Sequence, residues 1–364
     1  MTLCVRRMSA IDAAWEAAAS TIETAKDQRY GRRNPSNRAK ILRCGCFVVC
    51  VDTNFESSDG PLSPFYAGAV PLPLESVPNF SEGRDEATLA ALREAMSGPA
   101  RLLDVHADAD HHRSVYTLVG PGRDLVDTLA AGIGRAVELI DLGRHEGAHP
   151  RVGAADVVPF VFLRPEHEPD ARAAATELAD RISSELELPV FFYGRLTEDG
   201  REPAFFRRGG PEELQRRVDA GDLSPDRGPN RLHPTAGAVL VGVRRPLIAF
   251  NVNLRASGAE VAREIAAIVR ERDGGFPGVR ALGLDLPSAA LVQVSMNVTD
   301  WEASALHEIV ERIVAEAHAR GAEVVGCELV GLMPAGAAVD AAGAVLRIDG
   351  FDSTRVLELR LLDD

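Results

Sequence analysis

From about residue 72 onward, short apolar runs alternate with longer amphipathic stretches, and this alternation predicts the elements. Leu74–Asn79 reads as a strand, Asp85–Met96 as a helix, and Leu102–His106 and Ser114–Val119 as two strands in succession. A helix near Asp124–Leu142, a strand over Val157–Leu163, a helix over Asp170–Glu187 and a strand over Val190–Tyr193, closed by Gly194, follow. Ala238–Val243 reads as one more strand. Two adjacent strands between helices interrupt strict βαβ alternation, which points to a split βαβ, ferredoxin-like sheet with an added strand.

A second round begins at Pro246. Leu247–Asn253 is a strand and a helix runs to about Arg272. Arg280–Leu286 and Leu291–Asn297 are paired strands with Pro287 at the turn, a helix covers Ala303 to Arg320, and Glu323–Val330 closes the unit. The order βαββαβ therefore occurs twice, with no obvious residue identity between the halves. The expected fold is α/β (α+β), with two stacked ferredoxin-like subdomains over residues 70–246 and 247–364.

Residues 1–69 stand apart as a leader. They carry nine Lys+Arg against seven Asp+Glu, whereas the rest holds 31 against 47, so a +2 leader precedes a body of −16. One amphipathic helix is expected from about Ala10 to Asp27, then an Arg/Asn-rich stretch and a Gly/Ser/Pro linker near Ser57–Ser63. The expectation is that this leader is poorly ordered or not native, with Val70 as an alternative start. Cys44, Cys46 and Cys50 lack the Cys-x-x-Cys spacing of a zinc site and have no histidine nearby.

Charge narrows the partners. A formal net charge of −14 argues against nucleic acid, which requires a basic surface. No apolar run approaches the roughly 18 residues of a membrane span. Five cysteines without a regular framework fit a reducing compartment, so the expected location is the cytoplasm. Anionic substrates would need arginines concentrated locally against this background field.

Three polar segments sit where strands end, the usual place for ligands in α/β folds. They are His106–Ser114, Arg144–Phe160 and Asp226–Gly237. Within the second, His145 and His149 match the H-E-x-x-H zinc-protease pattern, which needs both on one face of an intact helix. Gly147 lies inside the motif and Pro150 follows it, so His149 is expected in a loop. A neutral imidazole there can take a proton from an incoming amine and return it to a departing one. Against this, surface and capping histidines are common. His106, His111, His112, His145 and His149, with Asp104, Asp108 and Asp110, also leave a metal-dependent hydrolase open. The loop Gly228–Gly237 reads equally as a structural crossover or as a binder of a flat heterocycle or carboxylate. The arginines of Phe205–Arg217 read as a solvated helix start. Asn251 and Asn253 should share one side of a strand, facing either a ligand or cross-strand partners.

Six blocks then carry a resemblance: ESVPNFSEGRD (75–85), LLDVHADADHHRSVYTLVG (102–120), HEGAHPRVGAADVVPF (145–160), PVFFYG (189–194), RGPNRLHPTAG (227–237) and AFNVNL (249–254). In this order and spacing they resemble the formiminotransferase family, found alone in bacteria as glutamate formimidoyltransferase and as the N-terminal part of formimidoyltransferase-cyclodeaminase. The resemblance runs from about residue 74 to 340, and no cyclodeaminase portion follows within the chain. It implies two ferredoxin-like subdomains meeting near residues 244–248 around a substrate groove. It implies His149, the histidine before proline in H-x-G-x-H-P-R, as the catalytic residue. It implies a folate-binding loop at Gly228, Pro229, Asn230, Arg231, Leu232, His233, Pro234, Thr235, Ala236 and Gly237. Supporting roles are expected for His106, Arg113, Arg151 and Asn251, with the two arginines engaging substrate carboxylates, and Asp108 or Asp110 orienting a histidine. The sequence departs from the animal enzymes at His106 (aspartate there) and His112 (asparagine there), and Arg227 replaces the aromatic of an Asp-Phe-Gly pattern.

The implied reaction transfers a formimino group between N-formimino-L-glutamate and N5 of tetrahydrofolate, in histidine degradation and one-carbon metabolism. Tetrahydrofolate is a co-substrate and no metal is expected; the partners are these small molecules, with a homodimer left open. Formyl transfer from N-formylglutamate and a non-catalytic folate-binding protein are the alternatives.

Overall fold

The computed structural model describes residues 73–147 and 149–362; the leader helix, the leader cysteines and Val70 lie outside them. The first sheet is built from β1 (Leu74–Ser76), β2 (Asn79–Phe80), β3 (Arg101–Asp108), β4 (Arg113–Gly120), β5 (Ala155–Val161), β6 (Val190–Gly194) and β7 (Val239–Arg244). Strands β1 and β2 both pair antiparallel with β4 and with β5, so they lie end to end in one lane. The single strand expected at Leu74–Asn79 is broken because Pro78 has no N–H to give the ladder. Across the sheet the order is β3, β4, the β1–β2 lane, β5, β7, β6, with β5, β7 and β6 parallel.

Helices α1 (Glu86–Ala95), α2 (Gly122–Leu139) and α3 (Glu168–Glu185) bury apolar stripes on one face of this sheet. In α1, Asp85 caps the helix by accepting from the N–H groups of Ala87 and Thr88, and Leu89 and Leu92 turn inward. In α2, Leu125, Leu129, Ile133 and Ala136 recur at helical spacing. The other face is covered over β5, β7 and β6 by α4 (Pro203–Arg207) and α5 (Gly210–Asp219), through Phe206, Leu214 and Val218. The helix expected to reach Leu142 ends at Leu139, where Ile140 turns extended.

The second sheet contains β8 (Ile248–Arg255), β9 (Val279–Leu286), β10 (Leu291–Val298) and β11 (Glu323–Val330), in the order β11, β8, β10, β9 and wholly antiparallel. Helices α6 (Ala259–Val269) and α7 (Leu306–Ala319) cover one face, against Val252, Leu254, Val292, Val294 and Met296. Two further helices, α8 (Ala335–Leu346) and α9 (Leu357–Leu362), were not expected from the sequence. The architecture is mixed α/β with two sheets, each built on a split βαβ pattern.

Strand alternation puts Asn251, Asn253, Gln293 and Glu328 on the helix-free side of the second sheet. Asn251 donates to Glu328 Oε2 at 2.9 Å, and Gln293 donates to Asn253 Oδ1 at 2.9 Å, so both asparagines have cross-strand partners. The described residues form one compact unit. Its two sheets are joined by His106 Nε2 at 3.3 Å from Glu328 Oε1, by Arg280 Nη1 at 2.7 Å from Glu202 Oε2, and by Ser288 donating to Asp110.

Candidate active site

After α2 the backbone leaves the helical region and Asp141 accepts from Gly143 N–H, closing a single 3-10 turn at Leu142–Arg144. His145 and His149 therefore share no helix, and the zinc-protease geometry is absent. Arg151 Nη1 donates to His145 Nδ1, and His145 Nε2 lies 3.0 Å from the His112 carbonyl, so both ring nitrogens are engaged. Burial, reinforced by Arg151, pulls His145 down to about 4. His112 stacks on it with ring centres 3.9 Å apart and faces Glu82 and the Glu146 carbonyl. The turn that carries His112 is left-handed there (φ 50), an uncommon state for a non-glycine residue. Gly147 packs so closely beneath this turn that a Cβ would come within 2.6 Å of the His111 carbonyl.

Asp156 organises what surrounds His149. Asn79 pairs with Val157 while Phe80 pairs with Ala155, so Asp156 is the extra residue of a β-bulge in β5. The bulge aims a fully buried carboxylate at three donors. Oδ1 accepts from Val152 N–H at 2.8 Å, and Oδ2 accepts from Arg113 Nη1 at 3.1 Å and Arg207 Nη2 at 2.5 Å. Burial pushes the Asp156 carboxyl up, but Arg207 and Arg113 overcome it and hold it below the ordinary range. Burial and then the neighbouring Arg207 lower Arg113 to about 10.

His149 sits against this cluster and lines an open hollow of about 260 Å³ with Gly147, Pro150, Arg151, Gly210 and Pro211. A larger depression of about 530 Å³ lies over Pro165, Glu168, Pro169 and Arg172, but no histidine or buried polar group faces it. Burial first, then Arg113 and Arg207, hold the His149 imidazole well below its ordinary 6.5, so the ring is neutral at pH 7. Its Nδ1 lies 2.8 Å from Arg113 Nη1 and 2.8 Å from the Pro150 carbonyl. The His111 ring centre is 6.2 Å away, and His111 Nε2 is buried without a partner among the described residues.

Among the described residues the Gly228–Gly237 segment joins this loop through its C-terminal end. Leu142 N–H donates to Thr235 O, Ala154 N–H to Ala236 O and Ala238 N–H to Val152 O. Gly237 adopts φ 69 and packs against the Val152 carbonyl, where a side chain would collide. His233 and Gly237 exchange two backbone bonds, and His233 Nδ1 accepts from Ala236 N–H at 3.1 Å, a turn-building role. Leu232 N–H is held by Gln215, while Gly228, Pro229, Asn230, Arg231 and Pro234 are exposed.

The structure thus gathers His149, Arg113, Arg151 and residues 235–237. His106 and Asn251 meet instead at Glu328, across the two sheets. Neither expected carboxylate clamp is free. Arg113 is held by Asn79, Asp156 and His149, and Arg151 Nη2 donates to the carbonyls of Gly147 and His149, shaping its own loop. The arginines of Phe205–Arg217 are not uniformly solvated, because the Arg207 side chain is only 14% exposed and pairs with Asp156. Sequence reasoning missed Asp156, Arg207 and Glu328. For Asp156 the signal was a lone carboxylate inside the apolar run Ala154–Val161.

Among the described residues no group of three or more His, Cys, Asp and Glu side chains could hold a metal ion, and no helix is long and apolar enough to cross a membrane. Residues 73–244 match the formiminotransferase domain, N-terminal subdomain, and residues 249–351 match the formiminotransferase domain. The chain is 38% identical over 294 residues to glutamate formimidoyltransferase of Streptococcus pyogenes serotype M1, covering 79% of this chain and 98% of that protein. It is 37% identical to the glutamate formimidoyltransferase of Thermoplasma acidophilum, over 79% of this chain and 97% of that protein. It is 39% identical to formimidoyltransferase-cyclodeaminase of Sus scrofa, over 74% of this chain and 51% of that protein. With both subdomains matched in order and full-length relatives at this identity, the chain belongs to the formiminotransferase family and is a transferase of the glutamate formimidoyltransferase type.

Proposed function

We propose that this protein transfers the formimino group from N-formimino-L-glutamate to N5 of tetrahydrofolate, with His149 carrying the proton. The observation that supports this reading is a neutral imidazole on the wall of a hollow, set among cationic side chains. The N5 amine attacks the formimino carbon, and His149 takes the N5 proton as the new C–N bond forms. The C=N electron pair moves onto the imino nitrogen, so the tetrahedral carbon bears N5, that nitrogen and the glutamate nitrogen. The pair re-forms C=N when the bond to the glutamate nitrogen breaks. His149 returns its proton to the glutamate nitrogen as that bond breaks, so atoms and charge balance without an external acid. Because the imidazole is neutral in the resting protein, it is ready to accept.

In this reading the reduced folate lies in the groove between the two subdomains, residues 70–246 and 247–364, with Gly228–Gly237 at its edge. On the same reading the protein works in the cytoplasm, in histidine degradation and one-carbon metabolism. The test is to incubate purified protein with tetrahydrofolate and either N-formimino-L-glutamate or N-formyl-L-glutamate, following folate product absorbance. Product from the formimino donor supports the reading, and product from the formyl donor alone replaces it.

A further inference from the structure

Three guanidinium groups crowd His149, and they are not equivalent. Arg113 and Arg151 are occupied by protein acceptors on their ring-facing and loop-facing nitrogens. Among the described residues Arg207 gives only Nη2, to Asp156. Its Nε is buried and has no acceptor among the described residues. A donor left this way is an exception that calls for a partner. Arg207 ends α4, and Gly210 and Pro211, which follow closely, line the hollow with His149. The same guanidinium is among the charges that hold His149 neutral.

Charge gives the chemical class of that partner. Around His149 three arginines face one buried carboxylate, in a chain whose formal net charge is −14. Such a local excess of positive charge suits an anion, and a planar fork suits a carboxylate above all. The glutamate donor of the proposed reaction offers two carboxylates.

We propose that Arg207 is the substrate-binding residue that receives a carboxylate of the glutamate donor, through its Nε–H and the donors Asp156 leaves open. This rests on the formimino-transfer reading and deepens it, because it explains how a leaving group as small as glutamate is held while its nitrogen is protonated. Arg113 and Arg151 then shape the site, whereas Arg207 fills the role first expected of them.

The test compares binding of L-glutamate, L-glutamine and L-isoglutamine by titration calorimetry to the wild-type protein and to Arg207→Lys. Lysine keeps the charge and one bond to Asp156 but loses the fork. The wild type should bind L-glutamate about 10- to 100-fold more tightly than one of the two mono-amides, the equivalent of one hydrogen bond to a charged group. Arg207→Lys should erase that gap. A gap of equal size in both proteins, or none in the wild type, overturns the proposal. Should Arg207→Lys not fold, Arg207→Gln keeps a donor for Asp156 and carries the same two outcomes. Wild-type turnover of N-formimino-L-glutamate is read alongside. Turnover with an unaltered gap removes only Arg207, and absent turnover removes the reading beneath it.

Discussion

Arg113 Nη1 stands 2.8 Å from His149 Nδ1, and a guanidinium can only donate. The Pro150 carbonyl, equally close, can only accept. The two partners therefore favour opposite tautomers. Donation from Arg113 puts the ring proton on Nε2, whereas Pro150 takes it on Nδ1 and frees Nε2 to act as a base. In the proposed reaction, proton transfer at Nε2 requires the second arrangement, and the imidazolium formed there would bear repulsion from Arg113.

Replacing His149 by alanine should lower kcat by about 10²–10⁴-fold, the usual cost of removing a positioned base. Thermal unfolding should change little, since the side chain lines an open hollow. A near-normal rate in a folded variant would take His149 out of the mechanism.

The pH dependence of rate should show the same pairing. Because the His149 value is held well below 6.5, the base stays unprotonated and activity persists as pH falls past 6.5. Arg113→Gln removes a repulsive charge, so the acid limb of the kcat/KM profile should move to higher pH. A limb that stays in place would separate Arg113 from the ionisation of His149.

Asp156→Ala should be strongly destabilising. It leaves Arg113 and Arg207 buried and unmatched, and breaking a buried pair typically costs about 3–5 kcal/mol. Chemical denaturation of the variant measures it. The wild-type contribution has a defined sign: the folded carboxyl lies below its ordinary 3.8, so its stabilisation is present above that value and disappears as pH falls through the folded one.

The seam between the sheets has the opposite sign. Glu328 raises His106 above 6.5 against the desolvation that lowers it. Its stabilisation is fully present below 6.5 and is lost as pH rises through the raised value. Urea midpoints of wild type and His106→Gln should therefore converge above that value; a constant difference across it would show that the pair contributes no charge interaction.

Much of the fold could be read because its signals are local. Asp85 ahead of Thr88 and Leu89, and the spacing of Leu125, Leu129 and Ile133, announce their helices without help from distant residues. The stretch Ala335–Leu346 was missed because its alanines and glycines show no contrast between a polar and an apolar face. In the site, the placing of His149 outside any helix was legible from Gly147 and Pro150. Asp156 and Arg207 were not, because their roles arise only when β5 bulges against β2 and α4 returns across the sheet. The contacts of Arg151 to His145 and to carbonyls of its own loop were not legible for a related reason: they form only once the loop closes on itself.

The extra residue at Asp156 ties the register of the strand to the carboxylate that holds Arg113 and Arg207. Deleting Asp156 would leave Ala155 against Phe80 and Val157 against Asn79, a regular ladder with every neighbour on its present face, but would remove the carboxylate that now meets two guanidinium groups. Insertions and deletions here should therefore be far rarer among active relatives than in the neighbouring loops.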